Sequence, residues 1–315
     1  FMDNISFIFP GQGSQRVGML SDLAKSFPII GSTFEEASEV IGKDLWEITQ
    51  VDNKGILSKT EITQPVLLTA SVAIWRAWMS LTDVKPRVLA GHSLGEYSAL
   101  VCSEALSFED AVSLVHFRGL VMQNAVPKGK GKMAAILGLS EGSVQELCYK
   151  AQEQSGLVAP ANINAENQIV ISGEVAAVEL AIELCKDAGA KRALPLEVSV
   201  PSHCELMKNA AVELQERLES IQFDNPKIDV IQNVDGEIQT VVSMIKSNLV
   251  KQLYMPVRWT DCVEKIFTLG CNHMLECGPG RVLSGLVKRS HPSVKCLLSD
   301  TTEAIGDASD IFSQL

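Results

Sequence analysis

Apolar residues along the chain form short solid runs, alternating stretches and helical stripes, and their order predicts a mixed α/β protein. Ile5-Ser6-Phe7-Ile8-Phe9 reads as a short β-like run closed by loop chemistry, Pro10-Gly11-Gln12-Gly13-Ser14-Gln15. A helical region follows at about Val17–Phe27. From Thr63 to Leu81 apolar residues recur almost without a break, the mark of a helix buried on most of its faces. Val88-Leu89-Ala90 is a second short run, and it leads into Gly91-His92-Ser93-Leu94-Gly95. Helix-like stretches then cover Leu94–Leu106 and Ser107–Met122. Strand, turn and helix in this order predict a parallel sheet whose functional groups gather at the strands' carboxyl ends.

The middle of the chain has another rhythm. Lys132–Leu139, Leu157–Asn164, Gln168–Gly173 and Lys191–Val198 are β-like, while Glu141–Ser155 and Val175–Gly189 are helical. Ala165-Glu166-Asn167 supplies a turn, so the order is β-α-β-β-α-β, the ferredoxin-like plan. Lys128-Gly129-Lys130-Gly131-Lys132 marks its entry and Pro201 follows its exit. The expected organisation is a discontinuous α/β unit of residues 1–125 and 199–315, with an inserted ferredoxin-like unit of 126–198. Further elements are expected near Leu206–Ile221 (helix), Asp229–Asn233 (strand), Val241–Gln252 and Asp261–Leu269 (helices) and His273–Cys277 (strand). A last helix opens at Gly278-Pro279-Gly280.

Composition narrows the class. At 315 residues with 46% hydrophobic content, the chain has ample material for a core. No apolar stretch reaches the roughly 18–20 residues of a membrane span. Met2 reads as the natural start, Phe1 as an extra residue, and no basic-then-apolar leader opens the chain, so a cytoplasmic monomer is expected. The eight cysteines lack any C-x-x-C pair and read as reduced thiols, neither disulfides nor metal ligands. A net charge of −11 disfavours nucleic acid as a partner, because the far field repels phosphate.

Candidate chemistry centres on Ser93. Its turn needs small neighbours, exposes the hydroxyl and sets it at a helix N-terminus, where developing negative charge is favoured. A serine hydroxyl attacks only with help from a base. Of five histidines, His92 reads as a support of the turn, His116 and His291 as structural or solvated, and His273 as a residue just before a strand. His203, in Val200-Pro201-Ser202-His203, lies in a loop able to overhang the sheet; its alternative is a plain helix-start histidine. Cys204 beside it reads as a small core residue. Arg118 stands four residues from Leu114 and Met122 and three from Val115 and Val121, inside an apolar stripe. It needs an anion, either an internal carboxylate or a substrate carboxylate gripped by the guanidinium fork. The second option, joined to a nucleophilic serine, specifies an acyl group with its own carboxylate, as malonyl has. Gln12 offers an amide N–H for an oxyanion or simply meets water. A serine esterase and an inert scaffold that binds a carrier protein are the rival readings.

The motifs at 10–15, Gly-His-Ser-Leu-Gly-Glu at 91–96, Arg118, Pro-Ser-His at 201–203 and Gln252-Leu-Tyr-Met-Pro-Val-Arg-Trp259 together make the sequence resemble the malonyl-CoA:acyl carrier protein transacylases of bacterial fatty-acid synthesis. The resemblance covers nearly the whole chain. It implies an α/β-hydrolase-like large subdomain with a ferredoxin-like insertion, Ser93 as nucleophile and His203 as base and later acid. It further implies Arg118 as the clamp on the malonyl carboxylate, and the Gln12 side chain with the Leu94 N–H as the oxyanion hole. The main-chain carbonyl of Gln252 would orient the histidine, and Asn162 would lie near the substrate mouth. Tyr254-Met255-Pro256 and Gly278-Pro279-Gly280 would be either rim segments or purely structural ones. No metal or redox cofactor is implied; malonyl-CoA and acyl carrier protein are the partners. Because that carrier is acidic, docking is expected at local basic residues, either Lys128, Lys130, Lys132, Lys191 and Arg192 or Lys288 and Arg289.

Overall fold

A computed structural model describes residues 2–198 and 200–315. Phe1 and Ser199, the latter at an expected unit boundary, lie outside the described residues. One sheet has five parallel strands in the order β7-β2-β1-β8-β9: β1 (Met2–Phe9), β2 (Pro86–Gly91), β7 (Asp229–Ile231), β8 (His273–Glu276) and β9 (Lys295–Leu297). The other is antiparallel in the order β4-β5-β3-β6: β3 (Gly131–Leu137), β4 (Val158–Ala165), β5 (Gln168–Glu174) and β6 (Arg192–Pro195).

β1 reads as a solid apolar run because both of its faces are covered. Ile5, Phe7 and Phe9 enter the main core, while Ile8 joins Val88, Ala90 and Ile231 on the opposite side. Helices α1 (Ser21–Ser26), α2 (Pro28–Ile41), α3 (Leu45–Gln50), α4 (Thr60–Leu81), α5 (Gly95–Cys102) and α6 (Phe108–Asn124) precede the small sheet. In α4, sixteen residues are buried, as its continuous pattern requires. Its interior Pro65 has no N–H for the Glu61 carbonyl, and His116 Nδ1 of α6 lies 2.9 Å from that oxygen, repairing the gap. His116 is therefore structural.

In the small sheet, α7 (Glu141–Ser155) and α8 (Val175–Asp187) cover one face, where Ala134, Ile136, Ile169 and Ile171 meet Val144, Cys148, Ala151 and Val178. The other face carries Met133, Ala161 and Val170. This face turns to the large sheet. The Val257 segment ties the two units together, since its N–H donates to Ala161 O (2.8 Å) and its carbonyl accepts from Ile163 N–H (2.9 Å). The remaining helices are α9 (Lys208–Glu219), α10 (Val242–Gln252), α11 (Trp259–Thr268), α12 (Val282–Ser290) and α13 (Thr302–Ser313).

Three expected elements are shorter than their patterns by three residues or more at one end. The helix expected from Val17 starts only at Ser21, because Gly18 and Leu20 take left-handed conformations. α5 stops at Cys102 rather than Leu106, where Glu104 turns left-handed. The strand expected over 191–198 closes at Pro195, one last bond running from the Leu196 N–H to Met133 O at 2.9 Å. No helix among the described residues is long and apolar enough to cross a membrane.

Candidate active site

β2 ends at Gly91, and the chain turns into α5 within four residues. A Cβ at Gly91 would fall on the carbonyl of Gly95, and one at Gly95 would fall on the carbonyl of Phe9. Both glycines are thus required by backbone packing alone. Ser93 between them has φ 53°, a conformation costing a non-glycine residue roughly 1–3 kcal/mol. Asn233, just past the end of β7, holds it there. Its Oδ1 accepts the Ser93 N–H at 2.8 Å and its Nδ2 donates to Gly91 O at 2.6 Å. The Asn233 N–H in turn donates to Glu96 Oε1 at 2.6 Å. Gly95→Ala must push β1 and α5 apart, and urea unfolding should show a loss of about 3 kcal/mol. Stability unchanged within ~0.5 kcal/mol would contradict this packing.

Ser93 Oγ lies 2.8 Å from His203 Nε2, across 110 residues of sequence. His203 Nδ1 lies 2.7 Å from the Gln252 main-chain oxygen. A carbonyl only accepts, so Nδ1 carries the proton and Nε2 presents a lone pair to the serine O–H. His203 is 3% exposed, and burial, reinforced by the Arg118 charge, pulls its pKa down to about 3. The imidazole is neutral at neutral pH. Its own φ is 61°, and its N–H donates to Leu253 O at 3.1 Å, which anchors the loop.

Arg118, 1% exposed on α6, donates from Nη1 to Gln64 Oε1 (2.7 Å) and from Nη2 to Gln252 Oε1 (2.8 Å) and Ser93 Oγ (3.3 Å). Its guanidinium carbon lies 5.3 Å from the centre of the Tyr97 ring. Among the described residues no carboxylate forms an ion pair with it. The internal carboxylate that sequence left open is therefore absent from direct contact, and two neutral amides orient the fork. Gln252 serves four residues at once: its main chain takes His203, its Oε1 takes Arg118, and its Nε2 donates to Ser93 O (3.0 Å) and Asn233 Oδ1 (3.1 Å).

Gln12 is exposed on the loop after β1, and its side-chain amide donates to Thr60 Oγ1 at 3.3 Å. The side chain is held on α4 rather than on Ser93. Its main-chain N–H and that of Leu94 have no partner among the described residues. His92 diverges from Ser93, as expected, and its Nε2 lies 2.7 Å from Asn164 Oδ1 on β4. Asn162, buried on the same strand, lines a cleft of about 550 Å³ shared with Gln12, Ser93, His203, Met133 and Leu286. The small sheet's uncovered face is thus one wall of this cleft.

The remaining titratable candidates stand apart. His291 pairs with Glu264, and His273 opens β8. Among the described residues no group of three or more His, Cys, Asp or Glu could hold a metal. Burial raises the thiols, Cys148 to about 12 and Cys185 to about 11, and moves Cys204 upward too, so they stay protonated. Sequence reasoning missed Asn233, Gln64 and Glu96. Gln64 had a signal, an amide inside the apolar run of α4; Asn233 had only its place after a strand.

The sequence model of the acyl transferase domain family matches residues 6–302. The malonyl CoA-acyl carrier protein transacylase of Escherichia coli K12 is 53% identical over 288 residues, 91% of this chain and 93% of that protein. That of Bacillus subtilis is 44% identical, covering 96% of each. A malonyl-transacylase solved in complex with a type II PKS acyl-carrier protein superposes with a TM-score of 0.96 at 49% identity, covering 98% of this chain and 99% of that one. The Coxiella burnetii transacylase does so with 0.96 at 46%, covering 98% and 97%. With its parallel sheet, its separate antiparallel sheet and a match over most of its length, this chain belongs to the acyl transferase family, among the malonyl CoA-acyl carrier protein transacylases.

Proposed function

We propose that this protein moves a malonyl group from malonyl-CoA to the phosphopantetheine thiol of acyl carrier protein by a ping-pong route through a malonyl ester on Ser93, supplying fatty-acid elongation in the cytoplasm. The observation that carries the reading is one hydroxyl, Ser93 Oγ, lying 2.8 Å from a neutral imidazole and 3.3 Å from a guanidinium that no carboxylate contacts among the described residues. In the first half, Ser93 Oγ attacks the thioester carbon as its proton passes to His203 Nε2. The tetrahedral oxyanion meets the free main-chain N–H groups of Leu94 and Gln12, a role we assign to the Gln12 backbone because its side chain is engaged by Thr60. The C–S bond then breaks, and His203 returns the proton to the CoA sulfur. The carrier thiol reverses these steps, and the transfer balances in atoms and electrons without a redox group or metal.

Arg118 holds the malonyl carboxylate, and Asn162 lines the mouth. The low pKa of His203 keeps it a base at rest and makes its imidazolium a ready donor to the leaving sulfur. Residues 126–198 form the inserted subdomain that supplies the cleft's second wall. Intact mass spectrometry with malonyl-CoA tests the reading: a malonyl adduct that is discharged onto carrier protein supports it. An esterase would release malonate with or without a thiol acceptor, and a scaffold would take up no label.

For carrier docking we take the first basic cluster, four of whose five side chains have no hydrogen bond or ion pair among the described residues, against Lys288 of the two in the second. Arg289 is engaged by Gln168 and Lys132 pairs with Glu179, whereas Lys191 and Arg192 are exposed without an ion pair among the described residues. Reversing both charges, Lys191→Glu with Arg192→Glu, should slow transfer to carrier protein about tenfold and leave loading from malonyl-CoA unchanged. Equal rates with carrier protein would dismiss this patch.

A further inference from the structure

Glu96 is a carboxylic acid placed where the chain has little reason to spend one. It lies in the first turn of α5 and is 1% exposed. Oε1 accepts the Asn233 N–H, and Oε2 is buried without a partner among the described residues, as is Nε of Arg118. The side chain of that same Asn233 accepts the Ser93 N–H and bonds Gly91 and Gln252. Asn233 therefore links the Glu96 side chain to the main chain of the reacting serine, whose carbonyl also accepts the Glu96 N–H at 3.1 Å. Arg118 is the positive charge that acts on Glu96, and Asp235 the negative one.

We propose that Glu96 is a positioning residue for the transfer: through Asn233 it fixes the Ser93 turn, and through its charge it sets how strongly Arg118 holds the acyl carboxylate. This rests on the reading of Arg118 as the malonyl clamp. With Glu96 protonated, the full field of the guanidinium is available to the substrate. With Glu96 ionised, part of that field is already used, and the new charge repels the malonyl carboxylate. Burial raises the Glu96 pKa to about 8 against the Asn233 N–H bond and, after it, the pull of Arg118, so the change falls in an accessible range. The other titratable neighbours lie outside that range. Tyr97 is pushed up to about 12, the Cys262 thiol higher still, and His203 is pulled down to about 3, while burial lowers His92 as well. The linkage runs both ways: bound malonyl should push the Glu96 pKa further up.

The test compares initial rates of Ser93 acylation by malonyl-CoA and acetyl-CoA, read by intact mass from pH 6.5 to 9.5, in the wild type, Glu96→Gln and Glu96→Ala. Acetyl has no carboxylate, so the malonyl-to-acetyl ratio isolates the clamp from the turn. In the wild type this ratio should fall about fivefold or more through pH 8. Glu96→Gln keeps the acceptor for Asn233 and should hold the ratio flat. Glu96→Ala loses that acceptor and should slow both donors together, also with a flat ratio. A wild-type ratio independent of pH, or a step of equal size in Glu96→Gln, would overturn the assignment while malonyl loading itself survives. Absence of any malonyl adduct on the wild type would instead remove the parent reading and this inference with it.

Discussion

Ser93→Ala should lose the malonylated protein completely and lower malonyl transfer to the carrier thiol by about 10⁴-fold or more. The size follows from what the hydroxyl does in the geometry. It is the single group that receives the His203 lone pair at 2.8 Å and stands beside the main-chain N–H of Leu94 at the start of α5. Without it, the second thiol would have to attack malonyl-CoA directly, and two large thioester carriers would need one cleft of about 550 Å³ at the same time. The fold should survive, because the Asn233 and Gln252 bonds reach the main chain of residue 93 rather than its side chain. Alanine does inherit the left-handed φ, so a circular dichroism melt belongs with the assay. A variant that melts like the wild type yet still acquires the malonyl mass would refute Ser93 as the acylated residue.

His203 shows where sequence reading reaches its limit. The turn at Ser93 was legible because its demands are local: two glycines, a strand before and a helix after, all within the 17 residues Pro86–Cys102. His203 was one of five histidines, and nothing in its neighbours says that the loop folds over a serine 110 residues earlier. The resemblance to a family supplied that link. Arg118 was legible from helical spacing as a charge in an apolar stripe, but its two amide partners lie on other helices and were not. The βαββαβ order of the small unit could be read because alternation and helical stripes succeed one another cleanly there. α2 escaped notice although Pro28 at its start, Gly42 after its end and the buried Ile30, Phe34 and Ala37 on one face are its sequence signals. The Gln12 side chain shows the converse, a role read from residue type beside a contact set by the fold. Residue type suggested an amide donor at the oxyanion, whereas the fold gives that amide to Thr60 and leaves the backbone N–H free.

Arg118→Ala should reverse the donor preference. A guanidinium fork on a carboxylate inside a buried site is a charge-assisted contact, and truncating such a partner costs about 2–5 kcal/mol, or roughly 10²-fold and upward in malonyl loading. Acetyl-CoA makes no such contact. Its loading should fall less, by about tenfold, because Gln64 and Gln252 lose their donor and Gln252 also carries the carbonyl that orients His203. The malonyl-to-acetyl ratio is therefore the decisive quantity, since general damage moves both rates together. Arg118→Lys separates charge from shape. One ammonium restores the field, but it lacks the planar fork that reaches Gln64, Gln252 and Ser93 at once, so the ratio should recover only partly. If the alanine variant kept the wild-type ratio, the malonyl carboxylate would have to bind elsewhere in the cleft, and the guanidinium would be reduced to a brace between two glutamines.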